Sequence, residues 1–305
     1  MKLKTKKGLV TYSGNNFLVI FNSESGELVD YQVHSKSMIK EGLRPNFWRA
    51  LTDNDVANGT TSRCGIWKTI WDDMSLTKFE TLLDKEGKLG TVLASYNHKD
   101  AMLQVEMRYA IRPEGIIQVS MNFTPGVKPL PEVPRLGMKM ILPAEYDQMT
   151  WLGRGPHENY ADRKTSAMVG EYTSTVWDQF HPYIRPQETA NKSDVRWVAL
   201  QNKAKEGLLF IGETPLSVSA WNFTQEDIGY IPFNIERKHG GSIMKRDFVW
   251  LNIDYKQMGV GGDNTWGAQV HPEYTITPEK QSYSFTILPL TGKESIVDES
   301  HKVWF

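Results

Sequence analysis

The sequence predicts an all-β fold, a large sandwich, on three observations. Apolar and polar residues alternate over many short runs, turn residues separate those runs, and a sustained 3.6-residue period is nearly absent. The 305 residues, 40% hydrophobic and 11% aromatic, suffice for a sizeable core. No linker, repeat or composition shift divides them, so one continuous sandwich over 1–305 is expected.

Taken in order, Gly14-Asn15-Asn16 and Ser23 to Gly26 bracket Phe17 to Phe21, which reads as a strand between turns. Leu89 to Tyr96 reads as another. The clearest unit runs through Leu103, Val105, Met107, Tyr109 and Ile111, turns at Arg112-Pro113-Glu114-Gly115, and returns through Ile117, Val119, Met121 and Phe123. Alternation on both sides of a Pro/Gly turn is a β-hairpin with one buried face. Further strands are expected at Val195 to Leu200, Leu208 to Ile211, Leu216 to Ala220, Val249 to Tyr255 and Tyr283 to Leu288. The best helix candidate is a turn or two after Thr224, capping Gln225-Glu226-Asp227.

Composition excludes several function classes. With 35 basic against 36 acidic residues the formal charge is −1, and the only single-sign run is Lys2, Lys4, Lys6 and Lys7, which gives no reason to expect a nucleic-acid or anionic-membrane partner. One cysteine, Cys64, rules out an internal disulfide; it fits a reducing compartment without excluding the periplasm. No apolar run approaches a membrane span, and the basic start is not followed by an apolar segment, so no signal peptide is expected within this chain. A cytoplasmic or periplasmic location is expected. No cluster shows metal-ligand spacing, and no Ser-His-Asp arrangement can be read.

Four long stretches read as irregular loops rich in Trp, Arg, Asp, Asn and His, and long loops inside a compact fold are usually functional. They are Arg44 to Asp55, Trp151 to Arg163, Tyr183 to Asn191, and Gly259 to Tyr274. The last carries Gly259, Gly261 and Gly262, then Asp263-Asn264, then Trp266-Gly267. An indole on such a loop either plugs the end of the sandwich or is offered to a ligand with an apolar face, such as a sugar ring. Asp263 and Asn264 are expected to shape the loop through Asx-type bonds. Arg49, Asp53, Asn54 and Asp55 in the first stretch, and His157, Glu158, Asp162 and Arg163 in the second, read as structural clusters tying loops together through fork-type pairs. His271 and Glu273, astride Pro272, read either as packing at a strand start or as an acid and base pair.

Together the motifs Phe47-Trp48-Arg49-Ala50-Leu51-Thr52-Asp53-Asn54-Asp55, Gly153 to Arg163 (Gly-x-Gly-Pro-x-Glu-Asn-Tyr-x-Asp-Arg), Pro186-x-Glu188-x-x-x-Lys192 and Gly261 to Tyr274 (Gly-Gly-Asp-x-x-Trp-Gly-x-x-Val-His-Pro-Glu-Tyr) resemble the C-terminal domain of glycoside hydrolase family 2 β-galactosidases, also found as the small chain of heterodimeric ones. The resemblance runs from about Lys7 to Leu290. It implies a β-supersandwich of the galactose-mutarotase-like type. It also implies that Trp266 reaches into the active site of a separate TIM-barrel domain and stacks on a galactoside, and that Gly137 opens a mobile active-site loop running to Asp147; the alternation of Leu136, Met138 and Met140 reads instead as an ordinary strand.

Retaining glycosidases use two carboxylates about 5 Å apart. In family 2 both glutamates belong to the upstream barrel, whose strand–helix pattern of about 250 residues is missing here. The resemblance therefore implies a chain inactive by itself, with no cofactor of its own. The complete enzyme is expected to bind a divalent metal, Mg or Ca, and to form an oligomer. The alternatives are a stand-alone carbohydrate-binding module or a sugar mutarotase.

Overall fold

Alternating side chains account for both sheets of the computed structural model, which describes residues 1–100, 102–231 and 238–305. A five-stranded antiparallel sheet holds β1 (Lys2–Lys6), β2 (Leu9–Ser13), β3 (Phe17–Asn22), β4 (Leu28–Val33) and β5 (Lys36–Ser37) in sequence order. Lys2, Lys4 and Lys6 of the basic start sit on β1, an exposed edge strand, where charge discourages further strand pairing. A twelve-stranded sheet holds β6 (Glu41–Asn46), β7 (Met74–Leu83), β8 (Gly90–His98), β9 (Leu103–Ile111), β10 (Ile117–Pro125), β11 (Arg135–Pro143), β12 (Gln148–Gly155), β13 (Met168–Thr175), β14 (Lys192–Gln201), β15 (Glu206–Trp221), β16 (Phe248–Gln257) and β17 (Gln281–Thr291). Three short helices, α1 (Asp53–Ala57), α2 (Thr60–Cys64) and α3 (Ile66–Thr69), follow β6, and α4 (Ile296–Ser300) lies near the end. Among the described residues no helix is long and apolar enough to cross a membrane.

One apolar cluster joins the two sheets. Phe21 of β3 meets Tyr109 of β9 edge to face at 4.9 Å, and the buried Tyr31 hydroxyl donates to Gly115 O in the β9–β10 turn at 2.8 Å.

The expected hairpin is present as β9–β10, with Met107 opposite Met121. Leu208–Ile211 and Leu216–Ala220, read as two strands, are one. The first half of β15 pairs with β17 and the second half with β16, the change of partner falling at Glu213, Thr214 and Pro215. A proline and two exposed polar residues look like a turn in sequence, but β14 pairs on both sides of the offset through two register shifts. The second halves of β6, from Arg44, and of β12, from Trp151, fall inside stretches read as loops. Gly153 and Gly155 take inward positions of β12 that an apolar side chain normally fills, which hides the period.

Gly137 does not stand at the start of a loop. It lies in β11 and pairs with Asp254 of β16 on one side and Asn46 of β6 on the other. The reason for the glycine is close approach, since a Cβ there would fall 1.8 Å from Asp254 Oδ1. After Thr224 the backbone forms a turn and no helix. Thr224 and Asp227 cap each other, with Asp227 N donating to Thr224 Oγ1 at 3.2 Å and Thr224 N to Asp227 Oδ2 at 2.8 Å.

Candidate functional site

The Trp266 loop leaves β16 after Gln257 and carries the indole 91% exposed, so Trp266 is no plug of this fold. Both faces of the indole are therefore open to contact from outside this chain. The three glycines at 259, 261 and 262 do not adopt left-handed backbone; of this loop's glycines only Gly267 does, at φ +131°. They allow close approach instead. A Cβ on Gly259 would lie 2.7 Å from Asp162 Oδ2, and one on Gly262 would lie 2.7 Å from Ala268 O.

Residues of both polar clusters, Arg49, Asn54 and Asp55 of the first and Asp162 of the second, meet at the base of this loop. Arg49 is fully buried and forked on Asp55, with Nε to Oδ2 at 3.1 Å and Nη2 to Oδ1 at 2.8 Å. Its remaining donors reach Met258 O and, at 2.8 Å, Gly259 O. Asp55 can hold that fork because α1 begins in a capping box, Thr52 Oγ1 accepting from Asp55 N and Asp55 Oδ2 from Thr52 N. Asn54 Nδ2 donates to Val260 O at 3.0 Å. From the opposite side, Asp162 accepts from Val260 N at 3.0 Å and Gly261 N at 2.7 Å. At the tip, Asn264 Oδ1 accepts from Trp266 N at 2.8 Å and Ala268 N at 3.4 Å.

The other predicted residues serve neighbouring loops. Asp53 pairs with Arg185 and accepts from Gln187 Nε2 at 3.1 Å, which ties α1 to the 183–191 stretch and its exposed Ile184. Glu158 accepts from Tyr183 Oη, Arg163 Nη2, Thr189 Oγ1 and Ala190 N. Burial pushes its carboxyl up, but those donors outweigh burial and hold it below the usual carboxylate range. His157 stands apart, exposed and 3.0 Å from Ser166 Oγ.

His271 and Glu273 neither pack at a strand start nor line a cleft as a facing pair. His271 is exposed just before the single-turn helix Pro272–Tyr274 and bonds Asp263 Oδ1 at 2.8 Å, with Glu273 3.9 Å away. The Asp263 bond raises the imidazole above its ordinary value. Asp263 is therefore spent on a tie across the loop, not on an Asx turn.

A buried network went unread in the sequence. Arg135 bonds both Glu188 Oε2 and Asp254 Oδ2 at 3.0 Å, all three out of solvent. Two carboxylates sharing one guanidinium leave a surplus negative charge. Burial therefore pushes Asp254 up to about 7 despite Arg135, and Glu188 also upward. Lys192 is buried over Trp151, its ammonium donating to Ala190 O at 2.9 Å, and burial lowers it to about 8. The signal available was a charge inside an apolar run, such as Asp254 within Val249 to Tyr255. Among the described residues no group of three His, Cys, Asp or Glu side chains is placed to hold a metal. The site as a whole offers an exposed aromatic face on an anchored loop, which suits contact and positioning rather than proton transfer.

The profile of the family described as "Beta galactosidase small chain" matches residues 13–287. The chain is 34% identical over 285 residues to a beta-galactosidase of Priestia megaterium, covering 92% of this chain and 26% of that protein. It is 31% identical over 283 residues to one of Lactobacillus delbrueckii subsp. bulgaricus, covering 92% and 27%. The chain thus spans about a quarter of the length of the curated relatives it matches. Among solved structures it is similar to a galactose 1-epimerase of Lactobacillus acidophilus, at 11% identity and a TM-score of 0.49 over 95% of this chain and 98% of that one.

Proposed function

Since the chain belongs to the β-galactosidase small-chain family, we propose that it completes the active site of a separate catalytic barrel of the glycoside hydrolase family 2, retaining type. Trp266 lends its indole to the galactoside across the boundary between the two. The observation that carries this reading is the exposed Trp266 on a loop whose base is bonded from two sides. An apolar face held out from a fixed base costs solvation unless a partner covers it, and a pyranose ring has a matching apolar face. The two carboxylates that cleave the glycoside are assigned to the barrel, so the chain by itself is inactive.

Stacking holds the sugar in ground state and transition state alike, so its loss raises KM with little change in kcat. In the barrel-containing enzyme, Trp266→Leu removes the flat face and keeps bulk. The expected loss is about 1–2 kcal/mol, roughly a 5- to 30-fold rise in KM. The melting temperature should hold, because the indole packs on little of its own fold. An unchanged KM removes Trp266 from the sugar site. Turnover of a chromogenic β-galactoside by the purified chain, above a no-protein control, overturns the assignment of the chemistry to the barrel.

A further inference from the structure

We infer that Asp162 is a positioning residue for Trp266, acting through the two backbone N–H groups it receives at the base of the loop. The inference rests on the reading of Trp266 given above. Four consecutive residues, 258 to 261, are held by side chains far away in sequence. Arg49 and Asn54 take the carbonyls of Met258, Gly259 and Val260. Those three contacts fix carbonyls, and on the N–H side Met258 N and Gly259 N donate to Pro134 O and Tyr274 O at 3.0 and 2.9 Å, which leaves the amides of Val260 and Gly261 still to be held. Asp162 supplies the opposite constraint, one carboxylate receiving the successive N–H groups of Val260 and Gly261.

Two further observations show that the sequence is arranged around this contact. Asp162 has no ion-pair partner among the described residues; its neighbour Arg163 goes to Glu158. Its charge is therefore available to the two amides, and charge-assisted bonds of this kind are the stronger ones. Second, glycines stand where the carboxylate approaches. A Cβ on Gly259 or Gly261 would meet Asp162 Oδ2 at 2.7 or 3.1 Å, and neither glycine is needed for its backbone angles. From Gly261 only four residues lead to the indole, and Asn264 closes that span onto Trp266 N. A tilt of the 260–261 peptides is passed to the ring with little slack.

The test is Asp162→Asn, which keeps size and one acceptor but turns an amide N–H toward a backbone N–H. In the barrel-containing enzyme the expected result is a KM raised about three- to tenfold, kcat within about twofold, and no further rise when the same change is made beside Trp266→Leu. A purely structural role would raise KM by the same factor in both backgrounds, and that result overturns the inference. No effect of Asp162→Asn where Trp266→Leu has one overturns it too. The full chain alone gives an independent readout: with 5-fluorotryptophan incorporated, the fluorine resonance lost in Trp266→Leu should shift or broaden in Asp162→Asn while the other nine stay. If that resonance is unmoved, Asp162 does not position the ring. If Trp266→Leu leaves KM unchanged while the resonance does move, the sugar-site reading has failed and the clamp stands.

Discussion

Replacing Gly137 by alanine adds one methyl group at the crossing of β6, β11 and β16. That methyl carbon would fall 1.8 Å from Asp254 Oδ1, 2.5 Å from its Cγ and 2.7 Å from its Cβ, all under the 3.0 Å that real Cβ atoms essentially never breach. The strand cannot yield easily, because Gly137 is paired on both edges, to Asp254 and to Asn46. Asp254 cannot yield without leaving Arg135, a buried partner at 3.0 Å. Overpacking costs about 1–3 kcal/mol, and breaking a buried pair costs about 3–5 kcal/mol. The two overlap, so a loss of roughly 3–5 kcal/mol is expected, a large share of a typical net stability of about 5–15 kcal/mol. At about 2 °C or more per kcal/mol for a chain of this size, the melting temperature should fall by roughly 6–15 °C. Calorimetric melting of the full chain and its Gly137→Ala variant measures this. An unchanged transition would mean that 137–147 is a pliant segment after all, and the argument from the Asp254 contact would be wrong.

Two further predictions concern the buried charges. With its folded pKa raised to about 7, Asp254 keeps its proton in the fold where the unfolded chain has lost it, so its contribution is present below about pH 4 and disappears as pH rises through about 7. Asp254→Asn should therefore gain stability relative to the parent between pH 5 and 8 in urea unfolding; a pH-independent difference would sink this. Lys192 has the opposite sign of behaviour for a cation, its folded pKa lowered to about 8, so stability should rise between about pH 8 and 10.5 as the buried ammonium is lost. Lys192→Met should abolish that rise and stabilise the chain at pH 7 by on the order of 1–3 kcal/mol, whereas a lower urea midpoint at pH 7 would show that Ala190 O and the Trp151 face hold the ammonium at a net gain.

The β9–β10 hairpin was legible because every second residue from Leu103 to Phe123 is apolar and the turn contains proline and glycine. Strands β6 and β12 were not, because Pro45 within β6 reads as a strand breaker, and Gly153 and Gly155 occupy positions of β12 where the period needs a side chain. The helices between Asp53 and Thr69 have four or five residues each, too short to show a period. Of the candidate site, the Trp266 loop was visible through its glycines and its lone indole. What fixes it was not, since Arg49 and Asp162 stand 209 and 98 positions from the atoms they bond. The two clusters were recognisable as loop ties, but sequence does not say which loop a charged side chain ties. The carry-over from the family misled at Gly137, where a glycine required by a neighbouring carboxylate has the same letter as one that opens a loop.

The position of the buried network explains why a fold would keep groups that cost it stability. Asp254 lies three residues before Gln257, the last residue of β16, and Gln257 Nε2 donates to Glu188 Oε1 at 3.3 Å. The next residue is Met258, whose carbonyl Arg49 takes. Two sets of hydrogen-bonded side chains thus hold the strand end, one ending on Gln257 and the other beginning on Met258, the first residue of the Trp266 loop. An apolar core of the same volume would be more stable, since buried ion pairs seldom repay their desolvation. Apolar contacts are also poor at fixing direction, because dispersion has no preferred axis and apolar cores tolerate shifts of packing. The indole receives no apolar support of its own, being 91% exposed. Its aim therefore depends on bonds that have direction, and the residues that lose stability at neutral pH are the ones that hold the strand end from which the loop departs.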